Sequence, residues 1–116
     1  MPKVKRKTID STNDISIYEF EAFDNFIEFC NYLSRNINKS TYLKLKKSSL
    51  YKLNSKYYLI LNIENLKLDI FKLIHCSTVE FAKFIPNAAL FERKLFEYGT
   101  VIFKTNAIGK CIKAFS

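Results

Sequence analysis

Apolar and polar residues alternate along several stretches of the chain, which is the pattern of a β-strand with one buried face. The first stretch runs from Ile15 to Phe23. A hairpin is predicted next, with one arm over Thr41–Leu53, a turn at Asn54-Ser55 and a second arm over residues 56–63. The second arm is apolar on both faces, so we expect it in the centre of the sheet. Two more strands are predicted at Val79–Ile85 and Val101–Phe103.

Four other stretches repeat apolar residues at the spacing of an amphipathic helix. The first has Asp24 as its predicted N-cap, and the second covers Leu66 to about Cys76. The third and fourth have Asn87 and Asn106 as predicted N-caps. The apolar positions are Phe26, Phe29, Cys30, Leu33 and Ile37 in the first helix, Leu66, Ile70, Leu73 and Ile74 in the second, Phe91, Leu95 and Tyr98 in the third, and Ile108, Cys111, Ile112 and Phe115 in the fourth.

Gly99 directly follows the third helix, where a left-handed residue commonly ends a helix and glycine avoids the Cβ penalty. Gly99 and Asn106 are therefore predicted as structural caps. Together the elements predict an α/β fold class, a single-domain two-layer sandwich in which a mixed β-sheet of about 4–5 strands is covered by about four helices. Residues 1–14 are predicted as a flexible basic tail, and residues 15–116 as the folded domain.

The net charge of the chain is +8, and it remains +6 without the four basic and two acidic residues of the first 14 positions. Five lysines lie in a stretch that contains no acidic residue. Such a charge distribution favours an anionic partner, which can be a nucleic acid, a membrane or an acidic protein face. The five are Lys44, Lys46, Lys47, Lys52 and Lys56.

Residues suited to catalysis or cofactor binding are sparse. His75 is the only histidine, and Cys76 follows it directly. A zinc site needs three or four ligands, but no second histidine and no pair of cysteines lies at ligand spacing from these two residues. The two glycines are too few for a phosphate-binding loop. Glu19 and Glu21 are expected on the solvent side of the first strand. The sequence therefore predicts no enzyme, no metal site and no cofactor.

The three cysteines, Cys30, Cys76 and Cys111, are an odd number, and no two are close in sequence. Each lies in an apolar helical pattern, where cysteine behaves as a small hydrophobic residue, so no disulfide framework is expected. No apolar run approaches the ~20 residues that span a bilayer, and no apolar segment follows the basic N-terminus. These features predict a cytoplasmic protein without a membrane partner.

The Lys- and Tyr-rich segment 42–58 has two interpretations. Basic strands with interleaved aromatic residues bind single-stranded nucleic acid through phosphate contacts and base stacking. Alternatively, the aromatic residues face the core and the lysines line a solvated edge, where they oppose pairing with other edge strands. The pattern leaves both open, and a small basic nucleic-acid-binding domain stays an alternative function.

Three groups of short strings, in order along the chain, carry a resemblance to a known family. They are Tyr18–Glu21 with Phe23-Asp24, Ser48–Lys52 with Lys56–Leu61, and Glu97–Gly99 with Val101-Ile102 and Asn106–Ile108. Together they resemble the C-terminal domain of the MecA adaptor protein family over about residues 17–115.

The resemblance implies a bacterial, cytoplasmic adaptor that binds the N-terminal and middle domains of a ClpC-type AAA+ unfoldase. It implies that docking promotes assembly of the unfoldase in regulated proteolysis, which includes competence regulation. The family's N-terminal domain captures client proteins, and in this sequence the short basic tail 1–14 is expected to stand in its place. Client binding is therefore not expected of this sequence.

Glu97 is the first candidate for a partner-binding residue because it lies in the family-like Glu-Tyr-Gly string. It falls about 200° from Leu95 on a helical wheel, so it is expected to face solvent. A carboxylate on a basic domain can pair with an arginine or lysine of a partner, although an ordinary solvated residue fits the same position. Glu80 is the second candidate.

Overall fold

The computed structural model describes residues 15–62 and 81–112, except for the side chains of Lys44 and Lys46. In these residues, one five-stranded sheet packs against four α-helices, so the predicted α/β fold class is confirmed. The strands are β1 Ile15–Phe20, β2 Ser48–Leu53, β3 Lys56–Asn62, β4 Lys83–Phe84 and β5 Thr100–Phe103. The helices are α1 Phe23–Asn36, α2 Lys39–Lys44, α3 Ala88–Tyr98 and α4 Ala107–Cys111, with a 3-10 helix at Leu45–Lys47.

The sheet has the strand order β4-β1-β3-β2-β5, and every described pair is antiparallel, whereas a mixed sheet was expected. The central position of β3, predicted from its two apolar faces, is confirmed. The predicted turn at Asn54 and Ser55 is also confirmed, and their φ angles of 51° and 68° suit a two-residue hairpin turn. This turn sets the register in which Leu53 pairs with Lys56.

Helices lie on both faces of the sheet, which adds a third layer to the predicted sandwich. One face carries the larger core, in which side chains of α1, α2, the 3-10 helix and α4 pack on β1, β2 and β3. Its buried residues are Tyr18, Phe20, Phe26, Phe29, Cys30, Leu33, Tyr42, Leu45, Leu50, Leu59, Leu61, Ala107, Ile108 and Ile112.

The opposite face carries a smaller core under α3. Its buried residues are Ile17, Tyr58, Ile60 and Leu95. The two cores follow from the period-two alternation of the strands, because neighbouring residues such as Leu59 and Ile60 point to opposite faces.

The first arm of the hairpin begins at Ser48, so the prediction of a strand from Thr41 is wrong for its first part. Asn38 is instead the N-cap of α2, since its side-chain oxygen accepts a hydrogen bond from the Thr41 N–H at 2.8 Å. Tyr42 and Leu45, three residues apart, are both buried by the resulting helical turns. Apolar residues separated by lysines fit either structure, and here the N-cap favours the helix.

The helix α1 begins at Phe23, so the prediction of Asp24 as its N-cap is wrong. The N-cap is Ala22, whose N–H donates a hydrogen bond to the side-chain oxygen of Asn25 at 3.0 Å. Asp24 lies in the first turn, where its negative charge interacts favourably with the helix dipole. Four of the five predicted core positions of this helix are buried: Phe26, Phe29, Cys30 and Leu33.

Asn87 and Asn106 are the N-cap residues of α3 and α4, but neither side chain makes a capping hydrogen bond. Both have left-handed backbones, with φ of 54° and 53°, whereas a capping residue is typically extended. In α4 the acceptor comes from another element, because the hydroxyl oxygen of Ser48 accepts a buried hydrogen bond from the Ile108 N–H at 3.1 Å. The α4 N-terminus is therefore capped from β2.

Several predictions lie outside the described residues. Of the strand predicted over Val79–Ile85, the structure describes residues 81–85, and only Lys83–Phe84 is a strand. The other predictions outside the described residues concern the tail 1–14, the helix from Leu66 to about Cys76, His75, Glu80 and Phe115.

Candidate functional site

Most of the exposed apolar side chains belong to two consecutive elements, α3 and β5. Seven large apolar side chains are exposed among the described residues, and five of them lie on α3 and β5. On α3, Leu90, Phe96 and Tyr98 are 64%, 58% and 67% exposed. Apolar groups concentrated on a surface in this way commonly mark an interaction site. We define the α3–β5 surface as Leu90, Arg93, Phe96, Glu97, Tyr98, Val101 and Ile102.

The orientation of α3 explains why part of its apolar set is exposed. Leu95 is buried in the smaller core, and the ring of Phe91 lies 4.8 Å from that of Tyr58. At ~100° per residue, Leu90 and Phe96 lie about 140° and 100° from Leu95, so they cannot share its buried side. Sequence analysis missed Leu90 and Phe96 as candidates. The sequence did contain an indication that some of these residues are exposed, since the helix has more large apolar residues than one face accommodates.

Tyr98 is exposed, so the prediction that it shares the buried stripe with Phe91 and Leu95 is wrong. Tyr98 is the last residue of α3, and at Gly99 the chain turns away to begin β5. The ring therefore extends beyond the part of the helix that packs on the sheet, and it adds an aromatic group to the α3–β5 surface.

Gly99 is the C-cap residue of α3, but its backbone is extended, with φ of −86° and ψ of 170°. The prediction of a left-handed conformation is therefore wrong. Glycine is favoured at this position because backbone oxygens of two other residues approach its Cα closely. An added Cβ would lie 2.7 Å from the backbone oxygen of Leu95 and 3.3 Å from that of Lys52. The missing side chain thus lets β5 begin directly after α3 and pair with β2.

Tyr51 joins the helical and strand parts of the α3–β5 surface. The Phe96 ring lies 5.5 Å from the Tyr51 ring, and Tyr51 pairs with Val101 across the β2–β5 ladder. A register shift between Leu50 and Tyr51 interrupts this ladder. Because β5 is an edge strand of the described sheet, its exposed side chains lie next to an unshared sheet edge.

Charged residues flank the apolar groups of this surface. Glu97 is exposed, as predicted, and Arg93 lies one turn before it on the same outward side of α3. Glu92 lies further toward the sheet, where burial raises the pKa of its carboxyl. Burial also raises the pKa of Tyr51, and the charge of Glu92 adds to that shift. The surface therefore combines exposed aromatic and aliphatic groups with charges of both signs.

The tyrosines of segment 42–58 contact other parts of the fold, as the second interpretation of that segment expects. Its lysines on β2 and β3 do not line an edge, however, because both strands are interior in the described sheet. Tyr42 and Tyr58 are buried. The Tyr57 ring lies 5.7 Å from that of Phe23, with the ammonium of Lys52 5.5 Å from its centre. These rings are engaged within the fold and do not form a platform for base stacking.

Lys56 is held in an ion pair rather than presented along a basic edge. Its ammonium lies 3.1 Å from a carboxylate oxygen of Glu19 and 3.5 Å from one of Glu21. The hydrogen bond with Glu19 is the main cause of the raised pKa of Lys56. Glu19 also accepts a long hydrogen bond of 3.4 Å from the Tyr58 hydroxyl, and its side chain is largely buried instead of facing solvent as predicted.

The described residues contain no cluster of three or more His, Cys, Asp or Glu side chains that could hold a metal ion. No helix in residues 15–62 or 81–112 is long and apolar enough to cross a membrane. Of the candidate residues, Glu97 lies on the α3–β5 surface, whereas Glu80 is outside the described part of the chain.

Comparison with solved structures finds six similar chains, including the following three. The C-terminal domain of MecA has a TM-score of 0.61 and 17% identity, with 84% of this chain and 92% of that chain covered. The C-terminal domain of YpbH has a TM-score of 0.60 and 20% identity, with coverage of 84% and 93%. A chain from a cryo-EM study of the MecA-ClpC complex has a TM-score of 0.55 and 22% identity, with coverage of 89% and 97%.

Comparison with sequences gives a family assignment. A search of curated proteins finds no match. The family model described as "Negative regulator of genetic competence (MecA)" matches residues 2–111. Because this match extends over nearly the whole sequence and the fold agrees with it, the chain belongs to the MecA family.

Proposed function

We propose that the chain is a non-enzymatic, cytoplasmic adaptor module that binds a ClpC-type AAA+ unfoldase and promotes its assembly and activity in regulated proteolysis. Membership of a family of competence regulators supports a regulatory role. The similarity to a structure from a MecA-ClpC complex supports the unfoldase as the partner. Docking uses the α3–β5 surface.

The observation that carries this proposal is the concentration of exposed apolar side chains on α3 and β5. Binding energy in protein interfaces commonly comes from a few large side chains, with aromatic residues among the most frequent. Phe96 and Tyr98 supply such groups, and their exposure in the isolated chain means that a partner can desolvate them.

Glu97 gives this surface a charged group with a specific role. Its carboxylate is exposed beside apolar residues on a chain of net charge +8. We expect it to pair with an arginine or lysine of the unfoldase, which orients the two proteins and excludes partners that are acidic at that point. Glu80 is a second, independent candidate for the same kind of contact.

Binding affinity measured by calorimetry with a purified ClpC-type unfoldase tests the apolar part. Phe96→Ala and Leu90→Ala should each raise Kd by about tenfold or more, because each removes apolar area from the interface. Leu43→Ala is the matched control, since Leu43 is also exposed but lies on α2, on the other side of the sheet. Equal effects of Leu90→Ala and Leu43→Ala would contradict docking through the α3–β5 surface.

Charge reversal tests the role of Glu97. Glu97→Lys should weaken binding while the free energy of unfolding stays nearly unchanged, because the side chain is exposed. Glu28→Lys is the control, since Glu28 is an exposed glutamate of α1 and its reversal changes the net charge by the same amount. An unchanged Kd for Glu97→Lys removes Glu97 from the interface.

Sizing chromatography and an ATPase assay test the adaptor function itself. The chain should shift the unfoldase toward its assembled form and raise its ATP hydrolysis, because a ligand that binds the assembled state stabilises it. The absence of both a complex and an ATPase change with a cognate unfoldase would overturn the proposal. Binding to oligonucleotides with a steep salt dependence would then support the nucleic-acid alternative.

A further inference from the structure

Two of the three cysteines meet in the larger core, although they are far apart in sequence. Cys30 lies on α1 and is buried, and Cys111 is the last residue of α4 and is half-buried. Both belong to the packing of the same cluster, and their thiols are within hydrogen-bonding contact of each other. Both are reduced in this structure.

The two thiols differ in access to solvent, which gives them different roles. Cys30 is fully enclosed, and burial, with a further contribution from Cys111, raises the pKa of its thiol. It therefore stays protonated and shielded from oxidants in solution. Cys111 is the one that a small oxidant can reach, because its residue is partly exposed.

We propose that Cys30 and Cys111 form a reversible redox-sensitive cross-link that ties the end of α4 to α1 when the chain meets a peroxide. The Cys111 sulfur attacks hydrogen peroxide and becomes a sulfenic acid, and one water is released. The Cys30 thiol then passes its proton to the sulfenic hydroxyl as its sulfur attacks the Cys111 sulfur. The disulfide forms, and the hydroxyl leaves with that proton as a second water. The peroxide takes up two electrons, one from each sulfur, and a dithiol reverses the step by exchange.

The position of this pair separates it from the docking surface. α1 and α4 cover the face of the sheet opposite α3, so the cross-link changes neither the side chains nor the exposure of the α3–β5 surface. Its direct effect is on stability, because a cross-link between distant residues restricts the unfolded chain. The inference therefore stands or falls independently of the proposed partner.

Peroxide titration of the full chain tests this proposal. Thiol counting under denaturing conditions, where every cysteine is accessible to the reagent, should fall from three thiols to one. The intact mass should fall by about 2 Da, and the melting temperature should rise by several degrees until dithiothreitol reverses the change. Non-reducing peptide mapping should show one peptide pair that joins Cys30 to Cys111.

Serine variants decide which cysteines react. Cys76→Ser should still lose two thiols to peroxide, whereas Cys30→Ser and Cys111→Ser should not form the intramolecular disulfide. If Cys30→Ser is too unstable to study, Cys111→Ser, at a partly exposed position, gives the same decision. Any of three results would overturn the proposal. They are a stable sulfinic acid on Cys111, a cross-link through Cys76, and a disulfide between two molecules in place of the intramolecular one.

Discussion

The two faces of the sheet are covered to different degrees. Among the described residues, the face under α1, α2 and α4 has 14 buried core residues, and the face under α3 has four. The exposed apolar residues show the opposite distribution, because five of the seven belong to α3 and β5.

This difference separates two uses of apolar residues. On the first face, the aromatic rings pack against one another. The centre of the Phe20 ring, for example, lies 5.5 Å from that of Phe26 and 5.2 Å from that of Phe29. On the second face, α3 uses Leu95 and Phe91 to hold its position and leaves Leu90 and Phe96 exposed. The first face therefore supplies most of the stability, and the second presents a surface for a partner.

The largest effect should come from a truncation in the larger core. Phe26→Ala should lower the free energy of unfolding by about 3–5 kcal/mol, because it removes a fully buried ring and leaves a cavity. Phe96→Ala should cost less than about 1 kcal/mol, since that ring is mostly exposed. Urea denaturation of both variants measures the contrast. Similar losses for the two would contradict the division between the faces.

A smaller loss of stability should follow from a side chain at Gly99. Gly99→Ala should cost about 1–3 kcal/mol, because the new Cβ would overlap the Leu95 backbone oxygen. Gly99→Asn distinguishes this cause from a left-handed backbone, which asparagine tolerates better than alanine does. With an extended backbone, Asn should be at least as damaging as Ala. Denaturation midpoints that rank Asn above Ala would restore the left-handed interpretation.

The capping contact on the larger core gives a third test. Ser48→Ala should destabilise by about 1–2 kcal/mol, because the buried Ile108 N–H loses its acceptor. Ser49→Ala is the control, as Ser49 is the half-buried neighbour of Ser48 in β2. Hydrogen exchange should locate the loss at α4. Wild-type protection of the Ile108 amide in the Ser48→Ala variant would contradict this prediction.

The smallest effect concerns Glu92 on the α3 face. Its folded pKa is raised above the unfolded value, so the folded state binds more protons between the two values. Stability should therefore fall slightly as pH rises through that acidic window. Glu92→Gln should remove this component and flatten the dependence of the urea midpoint on pH. An identical pH profile for variant and wild type would show that Glu92 does not contribute.

Sequence patterns predicted the parts of the fold that depend on local periodicity. The β3 strand, the turn at Asn54-Ser55 and the buried stripe of α1 follow from alternation and helical spacing, and the structure contains all three. The start of β2 was misplaced because lysines between apolar residues fit both a strand and α2. The role of Gly99 was also misassigned, since its extended backbone leads into β5, and the second of its two crowding atoms, Lys52 O, belongs to a distant strand.

The candidate site was only partly predictable for a related reason. The exposure of Glu97 follows from its angle to Leu95, so one helical wheel was enough. Leu90 and Phe96 could be assigned to the exposed side only after the packing of α3 on the sheet was known. Likewise, the contact between Cys30 and Cys111 arises from tertiary packing of two helices, and no sequence spacing indicates it.

The hydrogen bond from Ile108 to Ser48 has a consequence for the order of folding. A helix of five residues is far shorter than the ~12–15 that an isolated helix needs in water, so α4 does not form early on its own. Its acceptor becomes available only when β2 is in place, 60 residues earlier in the chain. α4 should therefore be absent from the transition state, with φ-values near zero for mutations there. Among the described helices, α4 would then be the last to fold.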